Sequence, residues 1–192
     1  KRATPMLIRL MCVIFPNSVA KIKKKYYICN KILYIMKKIT LNIDIQLAQI
    51  DELPEEDQQL VKMAIEQTEH SYSPYSHFSV GAALRLENGM TVRGCNQENA
   101  AFSVTICAER SALFAAGAAF PDQAVTTLAI AARKENHELL EEPISPCGTC
   151  RQAIIETETR FKHPVRILLY GKKHIYVFDS IKALMPLSFT EY

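Results

Sequence analysis

The 192-residue chain is 48% hydrophobic, enough for the core of one domain without disulfide support, and no run of 18 apolar residues offers a membrane-spanning helix. Its net charge of +3 is unevenly placed: residues 1–43 carry ten Lys/Arg and no acid, while the remainder carries 13 basic and 20 acidic residues. That acidic remainder argues against a nucleic-acid surface, which needs clustered Lys/Arg.

The chain opens on a basic leader in which short apolar runs alternate with lysine clusters without a clean period. Ser18-Val19-Ala20 resembles a signal-peptide cleavage site, but Arg9 interrupts the apolar region and Lys21–Lys25 follows at once. Residues 1–43 therefore read as a disordered, upstream or tag-like extension, with Met36 as the expected start, and residues 44–192 as the folded domain. Further along, Pro54-Glu55-Glu56 opens a helix, since proline suits the first turn and acids there complement the helix dipole. Leu60, Val61, Ala64, Ile65 and Thr68 form one face of it, and it is expected to end near residues 70–73, before Pro74. Residues 78–86 and 90–96 read as strands joined by an Asn88-Gly89 hairpin turn.

Residues 107–119, rich in Ala, Leu, Glu and Arg, read as a buried helix. Residues 126–133 form a near-continuous apolar run and read as a central strand. A polar loop over 133–142 leads to a third helix over 147–157, a buried strand over 165–170, a strand over 175–178 and a short helix over 180–185. Helices alternating with strands in the second half imply parallel pairing and a sheet covered on both faces.

Six cysteines are present, at 12, 29, 95, 107, 147 and 150. An even count permits disulfides in a secreted protein. Three of them, however, fall in a metal-type pattern, so a reducing, cytoplasmic setting is expected. Cys107-Ala108-Glu109 is followed forty positions later by Pro146-Cys147-Gly148-Thr149-Cys150. A catalytic zinc takes three protein ligands and keeps a fourth position open, and Cys107, Cys147 and Cys150 would supply the three. Cys147 and Cys150 are three apart, so both sulfurs can reach one ion from the first turn of a helix. Two helix N-termini aimed at the metal would also favour thiolate over thiol. Taken alone, Cys-x-x-Cys also fits a redox pair or half of a structural zinc site with Cys95 as a fourth ligand. Glu109, two residues after a ligand, can face the water that a catalytic zinc activates and carry its proton to the substrate. Arg110, with Arg151 as a second candidate, could draw charge from a thiolate; either could equally be an ordinary surface arginine.

At these residues the chain resembles the three-cysteine class of cytidine deaminases: Cys-Ala-Glu-Arg with Pro-Cys-Gly-x-Cys-Arg-Gln. Three further segments resemble the free-nucleoside branch in the same order: Tyr72-Ser73-Pro74-Tyr75-Ser76-His77-Phe78, Gly94-Cys95-Asn96-Gln97-Glu98-Asn99-Ala100, and Met185-Pro186-Leu187-Ser188-Phe189. The resemblance covers roughly residues 53–190. It implies a three-layer α/β/α sandwich around a mixed sheet of about five strands, one zinc ion per chain, and a homotetramer. It also implies hydrolysis of cytidine and 2′-deoxycytidine in pyrimidine salvage, by zinc-activated water with Glu109 as the proton shuttle, a mechanism general to the zinc nucleobase deaminases.

By the same resemblance Phe78 and Ala108 would contact the base, Asn96 and Glu98 would hold the ribose 3′-hydroxyl, and Phe102 and Phe189 would reach the site of a neighbouring subunit. Phe102-Ser103 stands where the family often carries Tyr-Pro, which would leave ring packing without a hydroxyl contact. Rival readings are a deaminase of another small substrate, such as a blasticidin-type enzyme, and a non-catalytic zinc-stabilised binding module. The second requires a saturated four-ligand site indifferent to Glu109.

Overall fold

The computed structural model describes residues 38–190. The expectations for residues 1–37, including Met36 as a start and the state of Cys12 and Cys29, lie outside the described residues. Pro54, with an extended backbone, caps helix α1 (Glu55–Gln67), whose first turn holds Glu55, Glu56 and Asp57. Leu60, Val61 and Ala64 form its buried face, and the helix gives way to a 3-10 turn over Thr68–His70. Strands β2 (Ser79–Leu86) and β3 (Thr91–Cys95) form the expected hairpin. Its turn needs Gly89, the one residue there with a left-handed φ of 82°.

Helix α2 (Ala108–Ala119) follows, then strand β4 (Val125–Arg133), helix α3 (Gly148–Phe161), and strands β5 (Arg166–Tyr170) and β6 (Ile175–Phe178). A short strand β1 (Gln46–Ala48) precedes them all and pairs antiparallel with β6.

The sheet therefore has six strands in the order β1-β6-β5-β4-β2-β3, one more than expected, because β1 is only three residues long. Parallel pairing holds for β4 and β5, joined through α3; β6 returns antiparallel to β5. The chain between β5 and β6 is a tight turn, too short for the crossover that parallel strands require. Helix α3 runs four residues past its expected end. It is stopped by Lys162 in the left-handed conformation, φ 51°, a role for which glycine is the usual sequence signal. The expected last helix is a single 3-10 turn, Ile181–Ala183, capped by the Ser180 side chain.

Two apolar layers flank the sheet. On one face Leu60, Val61 and Ala64 of α1 pack on Ala83, Ala129 and Leu168. On the other, Ala108, Ala112 and Leu113 of α2 and Ile154 and Ile155 of α3 pack on Leu84, Leu128, Ile130 and Ile167. Each fully buried Leu or Ile contributes about 1.5–3 kcal/mol of transfer free energy. Glycines set how closely two helices approach. A Cβ on Gly81 would overlap the Ala64 carbonyl of α1, and one on Gly94 would lie 2.5 Å from the Ala112 amide nitrogen and 2.7 Å from the Ala108 carbonyl of α2. Gly94 thus seats directly against the sheet the helix whose first turn carries Glu109.

Candidate metal centre and active-site cleft

Cys107 is the N-cap of α2 and Cys147 the N-cap of α3, both with extended backbone, and Cys150 is the third residue of α3. Two helix N-termini therefore meet at one point and bring three sulfurs together. Cys107 Sγ lies 3.9 Å from Cys147 Sγ, Cys147 Sγ lies 3.4 Å from Cys150 Sγ, and all three fall within 4.8 Å of one another. With Zn–S bonds of about 2.3 Å, tetrahedral zinc spaces its sulfur ligands about 3.8 Å apart, so the donor set fits zinc in both chemistry and spacing. Among the described residues no fourth side chain joins the group. The Cys95 thiol, weighed above as a structural ligand, instead donates to the His70 carbonyl and accepts from Gln97.

Two of the thiols shift in opposite directions through their mutual contact. A hydrogen bond from Cys150, opposed by burial and aided by Arg110, brings the Cys107 thiol down to about 5. Donation to Cys107, burial and the nearby Glu109 charge push Cys150 up. Three thiolates this close repel one another, and a bound zinc would neutralise them.

Arg110 Nη2 donates to Cys107 Sγ at 3.7 Å, in line with one of its two expected roles. Arg151 is spent elsewhere. Its Nε donates to the Pro146 carbonyl at 2.8 Å and its Nη1 to the Leu184 carbonyl at 2.6 Å, tying the loop before Cys147 to the C-terminal segment.

Cys107 and Cys147 open onto a cleft of about 280 Å³ whose walls also include Phe78, Asn96, Glu98, Ala108 and Glu109, while Cys150 is buried behind it. Glu109 is 4% exposed. Burial first, and then the Cys107 thiolate, raise its carboxyl above the ordinary carboxylate range. A carboxyl so placed holds a proton more readily than an ordinary carboxylate, as a proton shuttle requires. Elsewhere on its wall, Asn96 and Glu98 both lie just past the end of β3 at Cys95, and Phe78 immediately precedes β2. Burial tends to raise the Glu98 carboxyl, but hydrogen bonds from the Ser76 hydroxyl and the Tyr75 and Ser76 amides outweigh it and hold the group below its ordinary range.

Ser76, Thr105, Ile106, Ile144 and Ser145 also line the cleft and were not foreseen. Serine, threonine and isoleucine in loops carry no spacing signal. A larger hollow of about 610 Å³ between α2 and α3 is mostly walled by groups such as Leu113, Phe114 and Phe161, and it contains none of the sulfurs and not Glu109. Phe102 and Phe189 do not line the cleft of their own chain; they are 82% and 67% exposed.

The sequence profile of the cytidine and deoxycytidylate deaminase zinc-binding region matches residues 54–162. A cytidine deaminase of Halalkalibacterium halodurans is 43% identical over 99 residues, spanning 52% of this chain and 70% of that protein. A cytidine deaminase of Sporosarcina psychrophila is 48% identical over 88 residues, 46% of this chain and 60% of that protein. The crystal structure of cytidine deaminase from Burkholderia pseudomallei superposes with a TM-score of 0.59 at 36% identity, covering 68% of this chain and 97% of that one. The matched region holds all three converging sulfurs and Glu109. The chain belongs to the zinc-dependent cytidine and deoxycytidylate deaminase family.

Proposed function

We propose that the chain hydrolyses the exocyclic amine of cytidine and 2′-deoxycytidine, consuming water and releasing ammonia with uridine or 2′-deoxyuridine. The observation that carries this reading is the buried Glu109 carboxyl, set beside three sulfurs with zinc spacing and lining a cleft of about 280 Å³. Cys107, Cys147 and Cys150 would hold the zinc, which when bound supplies a Lewis acid that brings the acidity of water toward neutrality. Glu109 takes the proton released as water attacks the ring carbon bearing the amine. It delivers that proton to the ring nitrogen; it then takes the proton of the newly added hydroxyl and passes it to the amine, which leaves as ammonia as the C–N bond breaks and the carbonyl forms. Its raised proton affinity suits both directions of transfer. Arg110, donating to Cys107 Sγ, drains charge from the thiolate.

Phe78 and Ala108 flank the base in this reading, and Asn96 and Glu98 hold the ribose 3′-hydroxyl. The exposed rings of Phe102 and Phe189 suit a homotetramer in which each reaches a neighbour's cleft. The setting proposed is cytoplasmic pyrimidine salvage. One purified sample assayed on cytidine, 2′-deoxycytidine, cytidine monophosphate and blasticidin tests the reading. Turnover of the two free nucleosides alone supports it. Preference for the monophosphate or for blasticidin moves the chain to another branch of the family, and no turnover of any of them with zinc bound would make it a binding module.

A further inference from the structure

The sugar end of the cleft is more completely wired than substrate recognition requires. The Asn96 side chain is buried, 8% exposed, yet its residue lines the cleft. A carboxamide has two acceptor positions on oxygen and two N–H donors. Asn96 Oδ1 accepts from the Val80 amide at 2.8 Å and from the Ser71 hydroxyl at 2.6 Å, and Asn96 Nδ2 donates to the Phe78 carbonyl at 2.9 Å. Both oxygen positions are thus taken and a single N–H remains.

Glu98 shows the complementary state. Its Oε1 accepts from Ser76 Oγ, and its Oε2 accepts from the Tyr75 and Ser76 amides. Of the roughly four acceptor positions of a carboxylate, one on Oε1 is left. The pair can therefore offer a ligand one donor and one acceptor, the complement of a single hydroxyl.

The backbone groups of Val80 and Phe78 already decide which way round the amide lies. The Ser71 hydroxyl does something different: it fills the acceptor position through which a ligand hydroxyl could otherwise donate to Asn96. It also polarises the amide, which makes the remaining N–H a stronger donor.

We propose that Ser71 is a positioning residue for sugar recognition, acting through Asn96 so that the bound hydroxyl must accept from Asn96 Nδ2 and donate to Glu98 Oε1. Ser71 lies 25 positions before Asn96 and outside the wall of the cleft itself, so it works without touching substrate. The proposal rests on the reading of Asn96 and Glu98 as hydroxyl ligands, and the test separates the two.

The experiment measures kcat and KM of wild type, Ser71→Ala and Ser71→Thr on cytidine and on 3′-deoxycytidine. With Ser71→Ala, KM for cytidine should rise about threefold to tenfold, the worth of one hydrogen bond, while kcat stays within about twofold, since the contact does not change between ground and transition state. Ser71→Thr, which restores the hydroxyl, should return KM toward wild type. The 3′-deoxy substrate lacks the group being read, so its KM should not respond to Ser71→Ala. If wild type discriminates strongly against 3′-deoxycytidine while Ser71→Ala leaves both KM values unchanged, or raises them equally, the role of Ser71 is overturned and the hydroxyl reading stands. Equal handling of the two substrates by wild type would remove the hydroxyl reading and the role of Ser71 together. As a second readout, the Asn96 side-chain amide proton resonance should move in Ser71→Ala and recover in Ser71→Thr; an unmoved resonance would overturn the polarising contact.

Discussion

At the metal end of the cleft the decisive groups stand at helix N-termini, where Cys107 and Cys147 are caps and Glu109 and Cys150 lie in the first turns. At the end we assign to the sugar, Asn96 and Glu98 follow a strand and are held by a strand amide, loop amides and serine hydroxyls. The contrast in protonation is as sharp. Thiols and a carboxyl at the metal end are displaced from their ordinary ranges, Cys107 downward and Cys150 and Glu109 upward. At the sugar end Glu98 is held as a plain carboxylate. The helix ends supply a fixed field in which charge can be stabilised and protons moved; the strand end and loop supply direction and shape. Damage to the first end should therefore appear in turnover, and damage to the second in KM.

The largest effect expected is that of Cys150→Ala. The three sulfurs share one ion, so both zinc content and turnover should be abolished together, as metal analysis beside a cytidine assay would show. Retained zinc with full activity would end the assignment.

Next is Glu109→Gln, which keeps size and hydrogen bonding but removes the base. Turnover should fall by at least ~10²–10⁴-fold with about one zinc per chain retained. Loss of zinc would make Glu109 a ligand or structural residue, and near-normal turnover would remove it from the mechanism.

Gly94→Ala probes the seat of the metal end. The new Cβ would meet the backbone of α2 at Ala112 and Ala108, which cannot rotate away. Denaturant unfolding should show a loss of about 1–3 kcal/mol, accompanied by weaker zinc retention under chelator. A variant of unchanged stability would mean α2 can slide on the sheet at little cost.

The smallest effect concerns acid stability at the sugar end. The folded Glu98 carboxyl titrates below its unfolded value of about 4.5. The stability it contributes is therefore present above that pH and lost as pH falls through the folded value. Urea unfolding of wild type and Glu98→Gln should differ most above pH 4.5 and converge only as the pH falls through the lower, folded value. A difference constant with pH would show that the loop is not held by charge.

The two ends also differed in how far they could be read from residues alone. Cys107, Cys147, Cys150 and Glu109 lie in short motifs whose spacing carries the chemistry, because a helix turn dictates which neighbours share a face. Asn96 and Glu98 entered only through family resemblance, Ser76 only as an unassigned member of a resembling segment, and Ser71 not at all. A serine that hydrogen-bonds a residue more than twenty positions away leaves no local pattern. The same distinction runs through the fold. The Asn88-Gly89 hairpin and the acid-led start of α1 are local and were legible, whereas β1 was missed because three residues carry too little periodicity. The end of α3 was missed because Lys162 takes a left-handed conformation that its residue type does not advertise.

What the sequence determined by itself was most of the elements, β1 excepted, and the three cysteines and the acid that mark the candidate metal site, since periodicity, capping and ligand spacing act over a few residues. Only the tertiary structure decided the strand order β1-β6-β5-β4-β2-β3, the meeting of two helix N-termini forty residues apart, and the division of the two arginines. Arg110 serves a sulfur and Arg151 serves a loop. These are outcomes of long-range packing. Two glycine contacts, on Gly81 and Gly94, bring α1 and α2 down onto the sheet, and the energy that selects this arrangement comes from the two apolar layers as wholes, which no single stretch of residues contains.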